Sequence, residues 1–141
     1  MHPAAETWLA LAMLALLLWT YGIALALGRG RTRAVKQGQV APKGYKLMNA
    51  QEPEILVKLA RNYGNLFESP VAFYVVGLVV LQMGLADMVY VGLAWVFVGL
   101  RLLHSCIHLT YNHVLHRFLA FAVALAVVMV MTLRLVVQLL V

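Results

Sequence analysis

The chain has 141 residues, of which 64% are apolar and 11% charged, with a formal net charge of +6. A soluble domain carries about 25% charged residues, so the composition excludes a water-soluble globular fold and points to one small integral membrane domain. The single cysteine, Cys106, excludes an intramolecular disulfide framework and reads as a small packing residue.

The first apolar stretch, 7–27, is preceded by no basic region of the kind that opens a signal peptide, so it reads as a retained helix. Three more apolar stretches follow at 66–85, 88–103 and 118–141. Each comes near the roughly 20 residues a helix needs to cross about 30 Å of hydrocarbon. The third continues as helix through Arg101 and His104 before the polar Tyr111-Asn112-His113. The expected architecture is all-α: a four-transmembrane-helix bundle with helices at about 7–27, 53–84, 88–110 and 117–139, forming one domain over 1–141. Gly84-Leu85-Ala86-Asp87 is a tight connection that makes the second and third helices antiparallel neighbours.

The connection at 28–52 carries Arg29, Arg31, Arg33, Lys36, Lys43 and Lys46, whereas the Gly84 to Asp87 turn and both termini carry no lysine or arginine. Lysine and arginine are retained on the cytoplasmic side. The basic loop and the connection from His104 to Arg117 are therefore expected in the cytosol, with both chain ends on the other side. The loop charge reads as a topology signal and an attraction to anionic headgroups, not as a nucleic-acid surface.

On the second helix Arg61, Asn65 and Glu68 are spaced four and then three apart, which puts them on one helix face. Ionisable groups at membrane depth face a bundle interior or a water-filled cavity and mark functional sites by default. Counted from the Asp87 turn, Glu68 lies about 28 Å back along its helix, Arg101 about 21 Å forward and His104 about 26 Å forward. The fourth helix enters from the same side at Arg117. Asn65, Glu68, Arg101, His104, His108 and Arg117 thus form a polar layer near the cytosolic interface, with Arg101, His104 and His108 again on one face. One carboxylate, Glu68, faces Arg61, Arg101, Arg117 and Lys58, so the layer is short of negative charge and suited to an anionic ligand. The architectural alternative is that Glu68 neutralises Arg101. A histidine-based metal or haem site is a further alternative, since His104 and His108 share a face and His113 and His116 follow. Arg101 on that face opposes a divalent cation, and no metal ligands are assigned.

The remaining marked residues have structural readings. Gly77 with Gly84, and Gly92 with Gly99, recur at seven and are expected to allow close helix approach. Pro70 should bend the second helix by freeing the carbonyl of Leu66. Trp8, Trp19, Tyr21, Tyr90 and Trp95 read as interfacial anchors or core, and Arg134 as a residue that snorkels or pairs across a subunit contact.

The pattern Arg61-x-x-x-Asn65-x-x-Glu68-x-Pro70, followed by Arg101-x-x-His104 and by Arg117 opening the fourth helix, resembles the MAPEG family, the membrane-associated proteins in eicosanoid and glutathione metabolism. The likeness runs over about residues 5–138 and is greater to the bacterial members than to the prostaglandin and leukotriene synthases. It implies a homotrimer, multi-pass in a bacterial inner membrane, with glutathione as co-substrate at subunit interfaces near the cytosolic face. The implied activity is a glutathione-dependent transferase or peroxidase acting on lipophilic electrophiles, with membrane lipids and a second copy of the chain as partners. The alternative is a non-catalytic scaffold or lipid and anion binder built on the same pocket. By the same likeness Arg61, Asn65 and Glu68 hold the tripeptide, Arg101 and His104 line the site, and Arg117 sits by the thiol as the catalytic residue. His108 stands where the eicosanoid-type members carry a tyrosine, and Phe118 and Phe121 stand where serine and tyrosine occur. His108 and Tyr111 are the substitutes for the missing phenol at the same site.

Overall fold

The structure is a computed structural model that describes residues 3–46 and 51–141. Among the described residues all regular structure is helical: α1 (Pro3–Lys36), α2 (Pro42–Lys46), α3 (Glu54–Asn65), α4 (Ser69–Gln82), α5 (Met88–Leu109) and α6 (Val114–Leu140). Four spans are long and apolar enough to cross a membrane: α1, α3 with α4, α5 and α6.

Their burial follows helical periodicity on an apolar background. In α1, Ala5, Leu9, Ala12, Leu16, Thr20, Ile23 and Leu27 are buried, while Trp8, Leu11, Leu14, Leu18 and Leu25 point outward and are exposed. A helix that is hydrophobic all round is buried in a large core or in lipid, and a chain this small leaves the lipid. The most enclosed span is α5, which packs on α1 and α6 and touches α3. Its Phe97 stacks on Phe73 of α4 at 4.5 Å between ring centroids. Where α4 meets α1, Gly77 makes room for Met13, whose sulfur would lie 2.8 Å from a Cβ at position 77.

The turn between the second and third spans is closed by two devices. Gly84 takes φ 65°, in the left-handed region open to glycine, and Leu85 N–H reaches back to the Val80 carbonyl at 3.0 Å. Asp87 then caps α5, its Oδ1 accepting from Val89 and Tyr90 N–H at 3.0 and 3.1 Å. The same carboxylate receives both terminal nitrogens of Arg134, and Tyr90 lies under the guanidinium at 4.4 Å and donates to Gln138 at 2.7 Å. The Arg134 guanidinium holds the Asp87 carboxyl down at a pKa of about 2, with the two backbone N–H groups helping. Arg134 is therefore paired within its own chain, with the carboxylate of the α4–α5 turn. Of the paired glycines, Gly84 serves the turn, and a Cβ at Gly92 or Gly99 would meet nothing within 4 Å, so neither supports a close approach within the chain.

Two segments differ from the sequence expectation. The basic stretch 28–52 is not all loop, because α1 runs on through Lys36 and α2 forms within it. There Arg31 grips Glu52 with two hydrogen bonds, at 2.7 and 3.2 Å, which lowers the Glu52 carboxyl below the usual carboxylate range. A small satellite core of Ala34, Val40 and Leu56 packs nearby. The helix expected over 53–84 is interrupted at residues 66–68. Pro70 brings no N–H to the carbonyl of Leu66 and sits at the start of α4, where a missing N–H costs nothing. The end of α3 tightens accordingly, with Phe67 N–H bonded to the Gly64 carbonyl at 2.9 Å and Glu68 N–H to the Asn65 carbonyl at 3.4 Å.

Candidate functional site

The break positions the site. In an unbroken helix the Asn65 carbonyl would accept from the N–H of Ser69, four residues on; here it accepts instead from Arg101 Nη2 at 2.6 Å. Arg101 is fully enclosed, at 0% exposure, and its Nε and Nη1 find no partner among the described residues. Burial of a guanidinium costs several kcal/mol unless it is compensated, and the visible compensation is the Asn65 carbonyl together with the face of Phe121, 5.5 Å from the guanidinium carbon. Phe121 thus faces this cation.

One and two turns further along α5, His104 and His108 are buried on the same face, their rings 6.1 Å apart. His104 Nδ1 lies 3.0 Å from the Arg117 carbonyl. A carbonyl only accepts, so Nδ1 carries the proton and the buried, unpartnered Nε2 of the neutral ring presents a lone pair. The tautomer of His108 is opposite. Its Nδ1 lies 2.7 Å from Arg117 Nη1, a group that only donates, so Nδ1 accepts and Nε2 carries the proton. Arg117 Nη1 spends its second hydrogen on Asn112 Oδ1 at 2.7 Å. That oxygen and His108 Nδ1, 2.9 Å apart, are thus held together by their shared donor. Asn112 reaches this place from the turn after α5, at φ 51°, a left-handed conformation that asparagine tolerates better than most residues.

A second polar link, absent from the sequence reading, joins α3 to α5: Ser105 donates to Asn62 Oδ1 at 3.0 Å, and both are fully buried. The Asn62 amide nitrogen is left without a partner among the described residues. The signal for Asn62 was legible, since it follows Leu56 and Leu59 at three-residue steps on the inward face of α3. Asn112 offered no such signal, because its role depends on the turn geometry.

The expected layer is thus in two tiers. Arg101, His104 and His108 form a sealed inner tier, Arg117 is half-buried at its rim, and Arg61, Glu68 and Tyr111 are exposed. Asn65 joins through its main chain. The single face expected for Arg61, Asn65 and Glu68 is interrupted between the last two, where Glu68 leads into α4 with φ −90° and ψ −99°. The pairing of Glu68 with Arg101 does not form: the ion pairs among the described residues are Arg31 with Glu52, Lys58 with Glu54, and Arg134 with Asp87. Lys58 is thereby neutralised, and Arg61, Arg101 and Arg117 are left against one exposed carboxylate. Tyr111 pairs its hydroxyl with His116 Nδ1 at 3.2 Å. His113 packs on His116 at 4.4 Å, and no three His, Cys, Asp or Glu side chains gather as metal ligands among the described residues.

Chemically this is a cationic, donor-rich layer under an exposed rim. It offers three guanidinium groups, a histidine N–H, an amide NH₂ and one histidine lone pair, an inventory that fits an anionic ligand. The model of the MAPEG family matches residues 9–137 of the chain. No curated protein matches it.

Proposed function

The chain belongs to the MAPEG family, as an integral membrane protein with four helices able to span, and from that premise we propose that it is a glutathione-dependent transferase or peroxidase for lipophilic electrophiles. One observation carries the reading: Arg61, Arg101 and Arg117 join no ion pair among the described residues, and Arg101 and Arg117 are tied to the ends of neighbouring helices. A tripeptide with two carboxylates would supply the missing negative charge.

In this reading the outer tier touches the co-substrate. Arg61 and the Asn65 region hold its carboxylates, Glu68 holds its amino group, and Arg117 lies beside the sulfur. Glutathione brings the nucleophile, a thiol whose ordinary pKa near 8.5 leaves it mostly protonated at neutral pH. A guanidinium cannot give up its own proton, so Arg117 favours the thiolate by charge and by hydrogen bonding. The inner tier positions: His104 and His108 fix the Arg117 carbonyl and guanidinium, and Arg101 anchors the broken end of α3. One four-helix subunit has too little interior to enclose a tripeptide beside these charges, so a second copy closes the site, as a homotrimer of the family type. The electrophile enters sideways from the bilayer.

Calorimetric titration of the detergent-purified protein with glutathione tests the reading, with native mass spectrometry on the same sample. Saturable binding to a three-copy assembly is expected. A monomer that binds no glutathione overturns it. Binding without any thiolate absorbance at neutral pH would favour the scaffold reading, for which the pairing of the Tyr111 hydroxyl with His116 is the supporting observation.

A further inference from the structure

We propose that the C-terminal end of α1 is a binding site for an anionic phospholipid, separate from the polar layer. The 34 residues of α1 extend about 50 Å at the helical rise, against about 30 Å of hydrocarbon. The apolar segment 7–27 covers that thickness, so Gly28 stands at the hydrocarbon boundary and the last turns stand in the headgroup layer.

An open groove of about 660 Å³ runs along one face of this end. Ala24, Leu25 and Gly28 line its bilayer half, and Arg29, Arg33 and Lys36 line its outer half. The steps of four and three from Leu25 to Arg29, Arg33 and Lys36 keep them on a single face. Gly28 opens the floor, because a Cβ there would meet nothing within 4 Å and any larger side chain would stand in the groove. Below it the exposed Leu25 and Leu18, seven residues apart, continue the apolar track along the outside of α1.

The charges at the outer half are uncommitted. Arg31, around the helix, is taken by Glu52, whereas Arg29, Arg33 and Lys36 join no ion pair among the described residues. Three unneutralised cations within about 10 Å of helix axis, above an apolar floor, match an amphiphile with a phosphate head and acyl tails. A soluble anion would use the cations and gain nothing from Leu25 and Leu18, and a zwitterionic lipid carries its own cation into the cluster. The site is thus selective for net negative headgroups, and it ties α1 to lipid at the depth where the chain leaves the membrane.

The test is native mass spectrometry of the full chain in detergent, titrated with phosphatidylglycerol and, separately, with phosphatidylcholine of the same acyl chains. Wild type is expected to retain phosphatidylglycerol at least about tenfold more tightly. The triple variant Arg29→Gln, Arg33→Gln, Lys36→Gln should lose that preference, and Lys43→Gln with Lys46→Gln, which removes loop charge elsewhere, should keep it. Gly28→Leu retains every cation and fills the floor, so it should weaken lipid retention even if the triple variant fails to fold. Equal retention of the two lipids, an equal loss in the Lys43/Lys46 control, or full retention in Gly28→Leu overturns the site. Displacement of bound phosphatidylglycerol by excess inorganic phosphate also overturns it, by showing that the acyl track contributes nothing.

Discussion

Arg101 donates to the main-chain carbonyl of Asn65 at 2.6 Å, and it can do so because Pro70 breaks the helix that would otherwise use that carbonyl. The interruption at residues 66–68 is therefore part of the site's construction: the break at Pro70 takes the Asn65 carbonyl out of the α-helical ladder and leaves it as an acceptor for a buried cation 36 residues further along the chain, on α5.

Pro70→Ala tests this link. Restoring the amide at 70 gives the Leu66 carbonyl its helical partner and lets α3 and α4 join, so that Ser69 N–H takes up the Asn65 carbonyl and competes with the Arg101 guanidinium for it. Glutathione affinity should fall by about 1–3 kcal/mol, the cost of orphaning a charged hydrogen-bonding group, while helical content by circular dichroism holds or rises. Unchanged affinity would detach the break from the site.

Substitutions at Arg117 should separate binding from activation. Arg117→Ala removes the cation nearest the proposed sulfur, so the ultraviolet absorbance of bound thiolate at neutral pH disappears while much of the binding survives. Arg117→Lys keeps the charge but loses the fork that serves His108 and Asn112 together, and should fall between. Full absorbance in Arg117→Ala would move the role to another cation, with Arg61 the next to test.

At the opposite end of the bundle, acid should loosen the α4–α5 turn. The folded-state pKa of Asp87 is depressed to about 2, below its unfolded value, so the stabilisation is fully present above about pH 4 and is lost as pH falls toward 2. With its side chain 35% exposed, the contribution is discounted for solvent to about 1 kcal/mol. Thermal melts in detergent at pH 5 and pH 2.5 should show the loss in wild type and a smaller one in Arg134→Met. Equal losses would assign the acid sensitivity elsewhere.

Gly77 makes a graded steric prediction. A Cβ there lies 2.8 Å from the sulfur of Met13, an end that can swing aside, so Gly77→Ala should cost under about 1 kcal/mol. Gly77→Val adds branches that the α1–α4 contact cannot absorb and should cost about 1–3 kcal/mol. Melting temperatures of the two variants decide it, and equal stability would show the contact to be loose.

Much of the architecture was written in local sequence. The four spans follow from hydropathy and length. The Asp87 cap and Gly84 turn follow from residue types with specific backbone uses, and Arg101, His104 and His108 share a face because helical period is a local property. Depth counting from the Asp87 turn put Glu68, Arg101 and His104 at one level, with the fourth helix entering from that side at Arg117, and His104 Nδ1 meets the Arg117 carbonyl. What local sequence could not supply were partners. The architectural alternative, in which Glu68 neutralises Arg101, does not form, because the broken helix turns Glu68 outward and offers a main-chain oxygen instead. Arg134 read as a lipid or subunit contact because its carboxylate lies 47 residues away in the chain. The opposite tautomers of His104 and His108 depend on which neighbour, a carbonyl or a guanidinium, each ring meets. Periodicity and length are set by a residue's own stretch of chain, whereas the choice of hydrogen-bond partner is made only when separate helices pack, and at this site that choice decides which groups are sealed inside and which face a ligand.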